Sequence, residues 1–291
     1  MQTKQQIQQL LASAGVSVNK RLGQHFLIDL NLMRLLVDAA HILDNDIVLE
    51  VGCGTGSLTE ALARRAGKVV AVEVDRMLCE IAQNQLAEAG NVEIIGTDIL
   101  ERKSTLSSNV TEAIERARKE YTGRLLLVAN LPYNVASPVV LNLVTGPTVA
   151  DAMYVTVQKQ VADRMTAAPG SREYGALSIL LAATGDIKTI RVLKPTVFWP
   201  QPRVDSAMVA FVHQEEKASR IKNLQAFSET VHVFMGHRRK MLKTIGRLAS
   251  ARLGQINNWP GIFQRCSIEP TQRPGQLSPQ DYVAIQDHLS S

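Results

Sequence analysis

Short apolar segments with strand-like composition recur along this chain, and helical patterns separate most of them. The predicted strands are residues 47–51, 68–73, 92–95, 125–129, 153–157 and 206–212. Nearly continuous apolar strands are typical of a parallel sheet that helices cover on both faces. The sequence therefore predicts a doubly wound α/β fold, in which cofactors bind at the carboxyl ends of the strands.

The length of 291 residues accommodates a medium-sized domain and a smaller one. A polar segment follows the last predicted strand, and helical patterns continue at 220–235, 237–249 and 278–289. We expect an N-terminal arm and motif loop at 1–28, a main α/β domain at 29–214, and a small helical domain at 215–291. The polar stretch 102–124 is interpreted as a surface excursion.

The composition excludes several classes of protein. Apolar residues make up 45% and charged residues 20%, which excludes a mainly disordered chain. Because no apolar run reaches about 18 residues, we expect no membrane span. The three cysteines form no Cys-x-x-Cys pair, so a disulfide framework or a bound metal is not expected. Without an apolar leader, these features favour a cytoplasmic protein.

The positive charge is concentrated in the last third of the chain. Residues 1–199 contain 20 basic and 20 acidic residues, whereas residues 200–291 contain 12 and 7, which accounts for the net charge of +5. Arg238, Arg239, Lys240 and Lys243 fall at the start of the helix predicted at 237–249. Such a cluster is typical of a surface that neutralises phosphates, although a solvated helix face explains the charge equally well.

A glycine-rich turn follows the first predicted strand, and acidic residues follow the next two. The turn is Gly-Cys-Gly-Thr-Gly at 52–56, and the acids are Glu73 and Asp98. Glycines let a cofactor approach the backbone, and an acid at the second position binds ribose hydroxyls. NAD and S-adenosylmethionine (SAM) both fit this pattern. The third glycine lies one position early for a dinucleotide, and Glu50 suits the positive sulfonium of SAM better than a pyrophosphate.

The tetrapeptide Asn130-Leu131-Pro132-Tyr133 ends the fourth predicted strand. A nucleobase amine is a poor nucleophile because its lone pair is delocalised into the ring. The side-chain oxygen of Asn130 and a backbone carbonyl near Leu131 can accept hydrogen bonds from the amine and free that lone pair. Pro132 stiffens the turn, and Tyr133 can stack on a base. Catalysis would then depend on orientation and charge placement, without a general base.

With these motifs in one order, the chain resembles the small-subunit ribosomal RNA adenine N6,N6-dimethyltransferases from about residue 19 to residue 285. The matching segments are RLGQHFL at 21–27, EVGCGTGSLT at 50–59, EVD at 73–75, GTD at 96–98, NLPYN at 130–134, QKQVA at 158–162, YGALS at 174–178, PQPRVDSA at 200–207 and HRRK at 237–240. The resemblance implies a Rossmann-like, SAM-dependent methyltransferase domain and a small C-terminal α-helical domain that docks on RNA.

The resemblance also implies roles for individual residues. Those expected to contact SAM are His25, Leu27, Gly52, Glu73, Asp98 and Asn130. Those expected to surround the reacting amine are Asn130, Leu131, Pro132 and Tyr133. Those expected to contact RNA are Phe198, Arg238, Arg239, Lys240 and Lys243. The implied reaction is dimethylation of two adjacent adenosines of 16S rRNA in a pre-30S-like particle during ribosome biogenesis, by a monomer that uses no metal.

The sequence departs from the family pattern at three places. His25 replaces a usual Asn, Gln160 replaces a usual Glu, and the 102–124 excursion is longer than average. Three other interpretations remain open at this point. They are a large-subunit rRNA adenine methyltransferase of the macrolide-resistance type, a non-catalytic assembly or transcription factor on the same fold, and a NAD dehydrogenase. The last has no use for the Asn130 motif.

Overall fold

The computed structural model describes residues 1–19, 22–102, 105–249, 253 and 258–289, with the side chain of Arg247 excepted. The strands are β1 (Phe26–Leu27), β2 (Ile47–Val51), β3 (Lys68–Glu73), β4 (Val92–Gly96), β5 (Leu100–Arg102), β6 (Thr105–Leu106), β7 (Leu125–Asn130), β8 (Ala152–Gln158), β9 (Gly185–Leu193), β10 (Phe198–Trp199) and β11 (Ser206–His213). The helices are α1 (Lys4–Ser13), α2 (Leu30–Ala39), α3 (Ser57–Ala63), α4 (Arg76–Gln85), α5 (Ser108–Ala117), α6 (Ala136–Thr145), α7 (Lys159–Met165), α8 (Ala176–Thr184), α9 (Glu215–Ala218), α10 (Leu224–Gly236), α11 (Leu242–Ala249), α12 (Trp259–Arg265) and α13 (Pro279–Leu289).

A seven-stranded sheet contains all six predicted strands in the order β4-β3-β2-β7-β8-β11-β9. The five strands from β4 to β8 in this order are parallel, and β11 runs antiparallel to β8. The sequence pattern missed β9. Most of its residues are exposed or half-buried, so it lacks the continuous apolar run that marks the central strands.

Helix boundaries follow local capping signals. Asp29 caps α2, because its side chain accepts hydrogen bonds from the backbone N–H groups of Asn31 and Leu32. The interpretation of 102–124 as a surface excursion is wrong for α5, which buries one face against the core. Its buried residues are Val110, Ala113, Ile114 and Ala117, and this spacing is that of an amphipathic helix.

The chain divides into two compact units. The first consists of Met1–Leu143, Pro147–Ala162 and Lys188–Val212, and the second of Val144–Gly146, Asp163–Ile187 and His213–Ser291. The second unit therefore includes Val144–Gly146 and Asp163–Ile187, which fall inside the domain predicted at 29–214. Within that unit Tyr174 is buried, and its hydroxyl donates to the carbonyl of Leu277 at 2.8 Å. This long-range contact has no local signal in the sequence.

The second unit has an aromatic core of its own. The ring of Phe234 lies 5.7 Å from that of Trp259 and 6.0 Å from that of Tyr282, and all three side chains are buried. Aromatic pairs at these distances add to the stabilisation from area burial. Within the described residues, no helix combines the length and apolar character needed to cross a membrane.

Candidate active site

The site lies where the strand order reverses. From β2 the chain continues to β3 and β4 on one side, and β7 and β8 pair on the other side. The carboxyl ends of β2 and β7 diverge into different connections, which leaves a crevice between them. One cavity there is lined by the residues expected to contact SAM and by those expected to surround the reacting amine. They are His25, Leu27, Gly52, Glu73, Asp98, Asn130, Leu131, Pro132 and Tyr133.

The glycine-rich turn packs closely against the turn that follows β7. Gly52 has a φ of +78°, and a Cβ atom there would lie 2.7 Å from Cγ of Pro132. Its backbone N–H donates to the carbonyl of Val72 at 2.8 Å. A larger residue at position 52 would therefore strain the backbone and collide with Pro132. Protein packing, in addition to any approach by a cofactor, requires glycine here.

Glu73 ties the glycine-rich turn to the end of β3. It is 5% exposed, and its carboxylate accepts hydrogen bonds from the N–H groups of Gly54 at 2.8 Å and Asp75 at 3.0 Å. Burial raises the pKa of Glu73, against the effect of these hydrogen bonds. A carboxylate has about four acceptor positions, so Glu73 can hold the turn and still accept from ribose hydroxyls. The other predicted acid, Asp98, is exposed at the cavity and accepts from the N–H of Leu100.

The amide of Asn130 has a defined orientation. Its Nδ2 donates to the backbone carbonyl of His25 at 2.8 Å. Because a carbonyl can only accept, the nitrogen must face His25, and the amide cannot be flipped. The oxygen Oδ1 is buried and has no hydrogen-bond partner in the described part of the chain. An unsatisfied buried acceptor is costly, and Asn130 is one of the residues that line the cavity.

His25 and Tyr133 form one wall near Asn130. Nδ1 of His25 lies 2.7 Å from the carbonyl of Pro200, so Nδ1 carries a hydrogen. The His25 ring is 5.3 Å from that of Tyr133. The hydroxyl of Tyr133 is hydrogen bonded to Oγ of Ser206 at 2.7 Å. Hydrogen bonds therefore hold both side chains in place at the cavity that Asn130 also lines.

Glu50 is an unusual buried acid at this site. It is 1% exposed, it lines the cavity, and Oε2 has no hydrogen-bond partner among the described residues. Burial, with a contribution from the nearby Glu73, raises the pKa of Glu50 to about 8. A carboxyl group in this environment favours a cationic ligand and disfavours an anionic one.

Two residues that the sequence analysis left out also build the site. The side chain of Gln2 contacts Thr55 in the glycine-rich turn, and Ile7 lines the cavity. Both residues belong to the N-terminal arm predicted within residues 1–28. The only local signal was the apolar pair Ile7 and Leu11 at i, i+4, and both side chains are buried.

The aromatic residue predicted to face an RNA base does not line this cavity. Phe198 is 1% exposed and belongs to the hydrophobic core of the first unit. In the β1–β10 pair it lies opposite Leu27. The alternation of side chains along a strand turns Phe198 inward, whereas the adjacent Trp199 is half-buried and stacks on Phe26.

The predicted basic cluster lies in the second unit, and its backbone differs from the prediction. Arg238, Arg239 and Lys240 form a turn, because α10 ends at Gly236 and α11 begins only at Leu242. The N–H groups of Leu242 and Lys243 donate to the carbonyls of Gln272 and Pro270, which fixes where α11 starts. All four basic side chains are exposed. The guanidinium of Arg238 also donates to the carbonyl of Arg172 at 3.0 Å.

An open, mostly parallel sheet with this cavity at its switch point defines a Rossmann-like fold of the methyltransferase class. A family model for ribosomal RNA adenine dimethylase matches residues 15–277. The chain belongs to this family, which confirms the resemblance seen in the motifs. It is 34% identical to a ribosomal RNA small subunit methyltransferase A from Geobacillus sp. (strain WCH70) and 38% identical to one from Pelotomaculum thermopropionicum. Each match covers 97% of this chain and 94% of the relative.

Solved structures agree on the fold. A dimethyladenosine transferase from Plasmodium falciparum matches with a TM-score of 0.73 at 21% identity, over 89% of this chain and 95% of that one. The 23S rRNA methyltransferase ErmE matches with a TM-score of 0.63 at 18% identity, over 91% of this chain and all of that one. These two structures confirm the predicted Rossmann-like fold. At such low identities they do not distinguish the RNA substrates.

Proposed function

We propose that this protein transfers methyl groups from SAM to the N6 amines of two adjacent adenosines in small-subunit rRNA. The observation that carries the proposal is the buried, unpaired Oδ1 of Asn130, a residue that lines the same cavity as His25 and Tyr133. An exocyclic amine is the donor that this oxygen lacks. The curated relatives named above, which match over nearly the whole chain, support the small subunit as the source of the RNA.

The residues of the cavity fit SAM better than a dinucleotide. Glu73 stands at the end of β3, where it can accept from ribose hydroxyls, and Asp98 follows β4, where it can accept from an adenine amine. When ionised, the buried carboxyl of Glu50 would repel a pyrophosphate, whereas a bound cation would favour that ionised form. We further assign cofactor contacts to His25, Leu27, Gly52 and Asn130. When bound, SAM supplies an electrophilic methyl group on a positive sulfonium.

The protein's own contribution is to orient the target amine. Asn130 Oδ1 accepts one N–H of the amine, which draws the nitrogen towards a tetrahedral shape and directs its lone pair. Tyr133 stacks on the base, and the closely packed Leu131 and Pro132 fix the turn that holds Asn130. The methylated nitrogen loses its proton after the transfer, so these residues need not act as a base.

The second unit would supply affinity for RNA. Arg239, Lys240 and Lys243 are exposed and form no ion pair within the described residues. They are therefore free to neutralise backbone phosphates, which proteins use to recognise folded RNA by shape. Arg238 would act with them, although it is also tied to Arg172. We propose that this unit docks the enzyme, as a monomer, on a pre-30S-like particle.

Methyl transfer from labelled SAM tests the proposal. The substrates are unmethylated small subunits, large subunits and naked rRNA, and the variants are Asn130→Ala and the exposed control Asn109→Ala. We expect N6,N6-dimethyladenosine on small subunits only. Asn130→Ala should lower the rate by about 10²-fold or more, the usual effect of losing a polar group that orients a transition state. Asn109→Ala should retain the full rate.

The other outcomes overturn the proposal in distinguishable ways. Product on large-subunit RNA alone would identify an enzyme of the macrolide-resistance type. SAM binding without product on any RNA would favour a non-catalytic assembly factor. Full activity of Asn130→Ala would remove the role given to its oxygen, whichever RNA is the substrate.

A further inference from the structure

The glycine-rich turn is held from two sides. On the β3 side, Gly52 donates to Val72 and Gly54 donates to Glu73. The other half of the turn begins at Thr55, which lies between two glycines with positive φ. Glycines leave this backbone with more conformational freedom than other residues would. The contacts that restrain the second half therefore matter for the shape of the cavity.

Those contacts come from Gln2. Its side-chain nitrogen donates to the carbonyl of Thr55 at 3.1 Å, and its side-chain oxygen accepts from the hydroxyl of Thr55 at 2.6 Å. Its backbone N–H donates to Oγ of Ser57 at 2.7 Å. Gln2, Thr55 and Ser57 are all buried. A primary amide is required for this arrangement because it donates and accepts at once.

The helix that follows Gln2 completes the wall of the same cavity. Thr3 caps α1, and Ile7 and Leu11 are its buried residues. Both pack with Leu78 and Ile81 of α4, the helix that follows Glu73. Ile7 also lines the cavity that Glu73 and Gly54 line. One short segment thus contacts both the glycine-rich turn and α4, the helix that follows Glu73.

The outer face of α1 is polar. Gln5, Gln8 and Gln9 are exposed, so this helix has one apolar face and one solvated face. The segment from Gln2 to Leu11 also precedes residue 15, where the match to the family model begins. The family match therefore assigns it no role.

We propose that Gln2 is a positioning residue for cofactor binding. The segment Gln2–Leu11 holds Thr55 and Ser57 in the conformation that receives SAM, and it closes the cavity through Ile7. The inference rests on the proposed function, because it takes SAM as the ligand. Gln2 itself acts through Thr55 and Ser57 and is not assigned a contact with the reacting atoms.

The test compares Gln2→Ala with Gln9→Ala, a matched glutamine on the exposed face of α1, the helix that follows Gln2. Binding of SAM and of S-adenosylhomocysteine is measured by calorimetry, and KM values are measured separately for SAM and for RNA. We expect Gln2→Ala to weaken SAM binding and raise its KM by about tenfold, the effect of losing two buried hydrogen bonds. The KM for RNA and kcat at saturating SAM should change less than twofold, and Gln9→Ala should match the wild type.

Thr55→Val tests the same contact, and measured alone it keeps the inference testable if Gln2→Ala unfolds too easily; where Gln2→Ala folds, the two substitutions form a double-mutant cycle. Thr55→Val removes the hydroxyl while keeping the shape. If the two side chains act as a pair, Thr55→Val weakens SAM binding in the wild type but adds little in Gln2→Ala. Faster hydrogen exchange at residues 54–57 in Gln2→Ala would support the same conclusion.

SAM affinity of Gln2→Ala within twofold of the wild type would overturn the inference. So would additive effects of the two substitutions, or equal changes in the KM values for SAM and RNA. If the wild-type protein fails to bind SAM at all, the proposed function is wrong instead, and the two failures are thereby distinguished.

Discussion

The cavity of the first unit and the basic turn of the second unit carry the two predicted functions by different physical means. Glu73 and Asn130, in the cavity, are buried or half-buried, and each is oriented by a named hydrogen bond. In the basic turn and at the start of α11, Arg239, Lys240 and Lys243 are exposed and have no carboxylate partner within the described residues. The cavity is preorganised before a ligand arrives, whereas the turn offers charge without a fixed geometry.

This difference predicts different responses to perturbation. Interactions in a buried site are strong and little affected by salt, because water and ions do not reach them. Interactions of exposed charges with phosphates depend steeply on salt and contribute little to folding. Substitutions in the cavity should therefore affect folding and cofactor binding. Substitutions in the basic turn should affect RNA binding.

The largest expected effect is on folding, at Phe198. Phe198→Ala would leave a cavity in the core of the first unit and should lower the free energy of unfolding by about 3–5 kcal/mol. The matched control is Val204→Ala at an exposed position. Urea denaturation measures both variants. If Phe198→Ala leaves stability unchanged but weakens RNA binding, Phe198 belongs with the exposed region and contacts a base after all.

Glu50 should make stability depend on pH. Its pKa is about 8 in the folded protein, against an ordinary value of 4.5, so the folded state retains a proton that the unfolded state loses. The stabilisation that the protonated Glu50 gives to the folded state is fully present below pH 4.5, and it is lost as the pH rises towards 8. Glu50→Gln should therefore be the more stable protein at pH 8, by up to about 4 kcal/mol.

Thermal unfolding between pH 5 and pH 8 measures this effect, with Glu120→Gln at an exposed position as the control. A stability difference between wild type and Glu50→Gln that does not grow across this range would show that Glu50 is ionised in the folded protein. Glu50→Gln should also bind SAM more weakly, because a bound sulfonium favours the ionised form of Glu50 and glutamine cannot ionise.

A smaller effect is expected for cofactor binding at Glu73. Glu73→Gln removes the charge and weakens the hydrogen bonds that the carboxylate accepts from Gly54 and Asp75. SAM affinity should fall by about 10- to 100-fold, the cost of losing charged hydrogen bonds. Glu80→Gln, on the exposed face of α4, is the control. Calorimetry that finds equal affinity for both variants would contradict the assignment of Glu73 to the ribose.

The smallest effect is expected in the basic turn. Replacing Arg239, Lys240 and Lys243 by alanine should weaken RNA binding by about tenfold at physiological salt and lower the salt slope by roughly one for each phosphate that is no longer neutralised. Stability and SAM affinity should not change. The control variant replaces Arg64, Arg65 and Arg116 by alanine. These three arginines form ion pairs with carboxylates of the same protein. Equally weakened RNA binding in both triple variants would mean that only net charge matters.

Local sequence patterns determined the elements of the first unit and the order of its motifs. Apolar runs predict β2, β3, β7 and β8 because a central parallel strand is buried on both faces. Similar runs also predict the edge strand β4 and the antiparallel strand β11. The carboxyl ends of parallel strands share one edge, so residues that follow those strands, such as Gly52, Glu73 and Asn130, were expected to meet. Their roles in the site could be predicted from the sequence because each residue lies at the end of a strand that the sequence predicts.

Tertiary structure alone decided how those residues are supported. The Asn130 amide is oriented by the carbonyl of His25, and the glycine-rich turn is restrained by Gln2, both across long sequence separations. Phe198 is buried because of its register opposite Leu27. The start of α11 depends on carbonyls of Pro270 and Gln272. Contacts of this kind follow from packing between distant segments, and no local pattern of residues encodes them.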